Sequence, residues 1–456
     1  MLNTGGLTPP RSFRYTNPMH IYVILFLIGA FLGYLACEFA DRWGCSKRYH
    51  STLPKKIFIV FISGIAAAWL YWWEVQMGML NPAGLSPART TNVFSISNFF
   101  GFLYFEPFNI FATRYSLHLI LFTFLLAATL TDFYEMIIPD SITVVGTVTA
   151  LCLAVLFSLS ALPVTELHWT AHSFDPIVAP YVVTMHAWSP NPANLYGIWS
   201  PLLYSPTMFE HAESLEYVAI DLDSANFATK FAFLFLGGGK PLLIASLLWW
   251  FWCFAMLDRV WYTKLPFRKA NAIFWRYLYR SPRTKYIIAV ALLAPIGFAF
   301  VLNVPIGDPI ASGLALYSAL VGMATGMILV WGIRLVARWV LGVEAMGFGD
   351  VTLMGMIGAF LGWQAVLLVF FAAPFFGLVY GIVNVALGRG RAVPYGPFLC
   401  LATVVVVIAW SPIWSATAEY FAFGIEIIGI ALLVLLVLFG GLLHVVHKVM
   451  LGWSSS

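Results

Sequence analysis

Residues 342–363 read GVEAMGFGDVTLMGMIGAFLGW. An aspartate, Asp350, stands at the start of a long apolar segment. A carboxylate beside hydrocarbon is costly, so an ionisable residue at membrane depth marks a functional site by default. Gly347 and Gly349 let the backbone bend and approach closely just before it. A loop aspartate capping the next helix is the plainer alternative. A second aspartate, Asp132, weakens that alternative, because it holds a matching position at the end of an apolar run far upstream.

The surrounding composition is that of a membrane protein. Of 456 residues, 61% are hydrophobic and 10% charged, against about 25% charged in soluble domains. The expected fold is an all-α polytopic membrane protein of about eleven transmembrane helices, each needing roughly 20 apolar residues. Expected spans lie near 20–40, 57–75, 114–131, 141–160, 231–257, 286–303, 311–338, 351–362, 364–387, 396–412 and 422–447. No basic run with interleaved aromatics occurs, which argues against nucleic acid as a partner. The five cysteines form no CxxC pair, so neither a disulfide framework nor a zinc site is expected.

Charge placement sets the orientation, since cytoplasmic loops carry the Lys and Arg. With 41–56 in the cytoplasm, the basic loop 258–285 falls there too, as do Arg334, Arg338, Arg389, Arg391 and Lys448. Residues 161–229 hold no Lys or Arg and fall outside. Arg11, Arg14, Arg89 and Arg114 disagree. The expectation is N-terminus out and C-terminus in. Four expected spans separate Asp132 from Asp350, and an even number returns both to one membrane face.

Two carboxylates a few Å apart cannot both ionise easily and share a proton. One then takes a proton from water while the other donates to a peptide carbonyl oxygen. That chemistry needs no metal and no cofactor.

Three words carry a family resemblance. TDFYEMIIPDSIT (131–143), with Asp132, Pro139, Asp140 and Thr143, resembles the first aspartate motif of the type IV prepilin peptidase family. The opening stretch resembles its GxGD motif through Gly347, Gly349, Asp350, Leu353, Gly358, Leu361, Gly362 and Trp363. VPYGPFL (393–399), with Pro394, Gly396 and Pro397, is similar to a third family word. The resemblance covers roughly 114–160 and 306–413. It implies a membrane aspartyl endopeptidase with Asp132 and Asp350 as catalytic pair. The implied substrate is the leader peptide of a type IV prepilin or pseudopilin, and the implied place is the cytoplasmic face of the bacterial inner membrane.

The sequence also departs from the family. Thr352 replaces a lysine, and the two CxxC pairs tied to N-methylation are missing, so methylation is not expected. Some 217 residues separate the aspartates, many more than in relatives.

The expected organisation is therefore fourfold. Residues 1–113 form an N-terminal membrane region, and 114–160 carry the first aspartate. Residues 161–305 are an insertion made of the external segment 161–229, a span, the basic loop and a second span. Residues 306–456 form the GxGD core. The external segment is read either as a surface for an envelope partner or as decoration. Asp140 is expected to cap a helix, and Glu344 to be a loop carboxylate. His168, His172, His186 and His211 lack a clear helix on which to hold a metal. Gly29-x-x-x-Gly33 and Gly322-x-x-x-Gly326 fit close helix packing. Rival readings are another GxGD protease, a transporter or channel using the acids for cations, and a relative without activity. A presenilin-type enzyme predicts Tyr-Asp where Thr131-Asp132 stands, and a transporter predicts repeats that the sequence lacks.

Overall fold

The computed structural model describes residues 19–43, 53–77, 79–80, 107–156, 241–257, 267–303, 309–341, 346–388, 394–421, 428–438 and 440–441. The expectations placed on 161–229 and its histidines, on Glu344, Arg389 and Arg391, and on Lys448 lie outside the described residues. Among the described residues there is no strand. The helices are α1 (Met19–Trp43), α2 (Leu53–Tyr71), α3 (Pro107–Glu135), α4 (Asp140–Leu156), α5 (Pro241–Met256), α6 (Phe267–Arg280), α7 (Pro282–Asn303), α8 (Pro309–Leu341), α9 (Phe348–Leu361), α10 (Trp363–Ala386), α11 (Gly396–Ile408) and α12 (Trp410–Phe421). Residues Ile428–Leu438 form a further short apolar helix. Among the described residues, five helices are long and apolar enough to cross a bilayer: 19–42, 53–76, 112–135, 318–338 and 363–386. The chain is a multi-pass membrane protein.

The bundle is built around α9. It has 14 residues, about 21 Å at 1.5 Å per residue, so it falls short of a hydrocarbon core of about 30 Å. It does not face lipid. Residues 350–359 and Leu361 are buried, with α3, α4, α8, α10 and α11 packed around them. Such a helix need not match the bilayer, because its neighbours do.

Small residues make this possible. Gly322 and Gly326 of α8 lie against α9 backbone. A Cβ on Gly322 would strike the Gly358 carbonyl oxygen, and one on Gly326 the Met354 carbonyl oxygen. In a membrane no hydrophobic force draws helices together, so close backbone packing supplies the attraction. The Gly29/Gly33 pair does the same for α1 and α2, against Ser63, Gly64 and Ala67. At Gly362 the chain turns from α9 into α10 with φ 85° and ψ 174°, a conformation open essentially to glycine.

Three expectations need correction. Residues 267–280, expected within a loop, form the amphipathic helix α6, because their cations recur at helical spacing. The span expected at 396–412 ends at Ile408. Pro412 lacks an N–H and its ring clashes with the carbonyl four residues before, so the helix breaks and restarts as α12. Arg114, counted against the orientation, is no loop charge. It lies buried within α3, in electrostatic reach of Glu74. Glu74 sits in a π-helical turn (Trp72–Gln76) after α2, and its carboxylate meets His118 Nδ1 at 2.9 Å.

The glycine seam yields a stability prediction. Gly322→Ala pushes α8 off α9 and costs about 1–3 kcal/mol, the usual range for overpacking. Gly381→Ala meets nothing within 4 Å and leaves stability unchanged or raises it, alanine being the better helix former. Thermal unfolding of both variants in detergent checks the contrast.

Candidate active site

Asp132 lies in the last turn of α3. The Met136 amide bonds the Asp132 carbonyl at 2.8 Å, and Met136 then takes a left-handed φ of 54° that ends the helix. The turn runs through buried Ile138 and Pro139 into α4, whose start is marked by the Ile142 amide bonded to the Pro139 carbonyl at 3.0 Å. A carboxylate near a helix C-terminus meets the negative end of the helix dipole, which is unfavourable. The remedy comes from far along the chain. Gly396 opens α11, and its first-turn N–H has no partner within its own helix. That N–H donates to Asp132 Oδ2 at 3.0 Å. Pro397 follows in the same first turn, where a missing N–H costs nothing.

Asp350 is held differently. It is the third residue of α9, and its Oδ2 accepts the Gly347 N–H at 3.2 Å, reaching back as the acidic member of a capping box does. Here the dipole favours the negative charge. Thr352, where the family pattern has lysine, is buried and donates to the Gly349 carbonyl at 3.0 Å.

The supports of the two carboxylates share one junction, where Gly349 and Gly396 both lie against Ile138. Both acids are nearly sealed, Asp132 5% exposed and Asp350 7%, and Asp350 lies in electrostatic reach of Asp132. Ile138 forms the wedge between their supports. It is the nearest neighbour of Gly349, and its Cδ1 would sit 2.8 Å from a Cβ on Gly396. That same Cβ would stand 2.5 Å from Asp132 Oδ2. Both glycines therefore leave space that the site itself occupies. Pro394 stands half-buried just ahead of this junction.

Asp140 does not serve as the expected cap. It is the first residue of α4, and its carboxylate accepts from Arg283 at 2.6 Å. Two neighbours escaped the sequence reading. The Arg334 guanidinium of α8 lies over the Phe348 ring, 5.6 Å from its centroid, and within electrostatic reach of Asp350. Tyr395, beside Gly396, also lies in electrostatic reach of Asp350. Arg334 stands sixteen residues before Asp350, and only an α8–α9 contact prediction would have paired them. Among the described residues no group of three or more His, Cys, Asp or Glu is placed to hold a metal.

Comparison with known proteins adds the family. Residues 283–382 match the model of the type IV leader peptidase family. The match opens on α7, assigned from sequence to the insertion, and contains Asp350 but not Asp132 or Gly396. Three similar curated proteins bear the name prepilin leader peptidase/N-methyltransferase. That of Stutzerimonas stutzeri is 33% identical over 112 residues, 24% of this chain and 38% of that protein. That of Pseudomonas aeruginosa is 31% identical over 111 residues, with 24% and 38% covered. That of Aeromonas salmonicida is 31% identical over 102 residues, with 22% and 32% covered. The chain thus spans about a third of the length of the curated relatives it matches. No solved structure matches. Over residues 283–382, this chain is similar to the type IV leader peptidase family.

Proposed function

We propose that the chain is a membrane-embedded aspartyl endopeptidase that removes leader peptides from type IV prepilins or pseudopilins. Asp132 and Asp350 form its catalytic pair. The observation that carries this reading is the convergence of two aspartates, with 217 residues between them in sequence, on one buried junction where each accepts a backbone N–H.

In the proposed cycle one carboxylate is ionised and the other protonated. The ionised member takes a proton from water, and the water oxygen adds to the scissile carbonyl carbon. The protonated member gives its proton to the carbonyl oxygen, forming a gem-diol. The gem-diol collapses and the C–N bond breaks: the proton held by the first carboxylate passes to the leaving amine, and a gem-diol hydroxyl returns its proton to the second carboxylate. The roles belong to the pair and not to either residue. Exclusion of bulk water strengthens each electrostatic contact made by the developing charges. The Gly347 and Gly396 amides hold the acids in register, and Arg334 is placed to bias the charge on Asp350.

In this reading the pair faces the cytoplasm of a bacterial inner membrane, in a chain of about eleven spans with its N-terminus outside. The pilin's own apolar helix enters from the bilayer. N-methylation is not part of the proposal, because the five cysteines form no CxxC pair.

Two measurements test the site. Co-expression with a prepilin, followed by mass spectrometry of the product, reads the cut position and the N-terminal mass together. Asp132→Asn and Asp350→Asn are each expected to lower turnover by at least about 10³-fold. The double variant should be no worse than either single one, as for residues that act as a unit. Cleavage that survives either substitution removes the assignment.

Gly396→Ala tests the support of Asp132. Its methyl group displaces the carboxylate, and turnover is expected to fall by roughly 10²-fold, the cost of about 1 Å of misplacement. KM should change little. Wild-type turnover in a folded Gly396→Ala protein would show that the amide contact is not needed.

A further inference from the structure

We infer that α6 is an interfacial helix that binds the phosphate headgroups of anionic phospholipids, on the same membrane face as Asp132 and Asp350. The inference does not depend on the peptidase reading.

The sequence FRKANAIFWRYLYR folds as one helix across 267–280. At 100° per residue Arg268, Lys269, Arg276 and Arg280 fall within an arc of about 120°. All four are exposed, and among the described residues none of them pairs with a carboxylate. Two aromatic residues join the cations, Trp275, 60% exposed, at the edge of that arc, and Tyr279, 81% exposed, within it. Phe274 lies half-buried on the other side. Exposed Trp and Tyr rings are costly as a bare surface in water, and here they lie among exposed cations. They are the side chains that suit the headgroup level, where an aromatic ring meets both hydrocarbon and water.

The position of α6 follows from its neighbours. Ser281 interrupts the helix, and Pro282 starts α7, which is apolar from Tyr286 onward. The α6–α7 junction is thus where polar chain meets an apolar helix. Arg283, in the first turn of α7, pairs with Asp140 at 2.6 Å. Both partners are well exposed, so the pair contributes little stability, and its value is as a marker of place. It sets the α6–α7 junction beside the turn that follows Asp132.

Charge complementarity selects the occupant. A guanidinium presents a fork that fits a phosphate in two contacts, and three of the four cations are arginines. A leaflet of anionic lipid attracts each nearby cation with about 1 kcal/mol, within a Debye length of the surface.

The test uses the full chain in nanodiscs of phosphatidylcholine, with or without phosphatidylglycerol. Hydrogen–deuterium exchange reports protection of the amides in 267–280. Phosphatidylglycerol should slow their exchange by about fivefold or more, the ratio equivalent to the 1 kcal/mol that a single cation supplies. The effect should vanish at high salt and in the R268Q/K269Q/R276Q/R280Q variant. That variant retains α7, Arg283 and the aspartate pair, and its unchanged thermal unfolding shows that it folds. Equal protection in both lipids overturns the proposal. Protection conferred by soluble poly-glutamate but not by phosphatidylglycerol also overturns it, and assigns the face to an acidic protein instead.

Discussion

Two backbone amides meet two carboxylates inside a bundle that lipid surrounds, and most of the architecture follows from that requirement. An ion in such a place needs donors that water does not supply. Asp350 finds one at the start of its own helix. Asp132 stands at the wrong end of α3 for the helix dipole, and takes its donor from Gly396, 264 residues further on. The two supports are unlike. One is local and nearly guaranteed by the GxGD word. The other exists only if α3 and α11 are brought together, so it couples the first aspartate to the tertiary fold.

That coupling depends on how closely the helices pass. The core helix α9 is short, buried along nearly its whole length and rich in glycine. Its glycines, with those of α8, let backbone lie on backbone where a methyl group would already collide. Ile138 then fills the remaining space between Gly349 and Gly396. The site is a junction of four helix ends, those of α3, α4, α9 and α11, rather than a pocket hollowed from one element. Polar groups at helix ends have free donors and acceptors, and this is where a membrane protein can carry chemistry at low cost.

Much of this was legible in the sequence, for identifiable reasons. Apolar runs of about 20 residues have few alternatives to helix in a bilayer, so each of the five bilayer-length helices overlaps an expected span, with ends that differ by up to seven residues. The GxxxG pairs at 29/33 and 322/326 announced close packing and deliver it. What the sequence hid was of two kinds. Periodicity in a short basic segment was masked by its charge density, so α6 read as a solvated loop. Contacts between distant residues left no local sign: Arg283 claims Asp140, Arg114 turns inward toward Glu74, and Arg334 leans over Phe348 beside Asp350. Each of these is a charged residue whose role is set by the neighbouring helix and not by its own segment.

The central claim is that the side chains at 132 and 350 meet. The most direct measurement places cysteines at both positions in a background free of the five native ones, and treats the membranes with a short bifunctional thiol reagent. A pair at Tyr22 and Gln76, whose side chains hydrogen-bond at 2.6 Å, serves as the reference. The account predicts that the 132–350 pair crosslinks as fully as the reference, with the two tryptic peptides joined in the mass spectrum. Single labelling at both sites without a crosslink, while the reference pair joins, would contradict it.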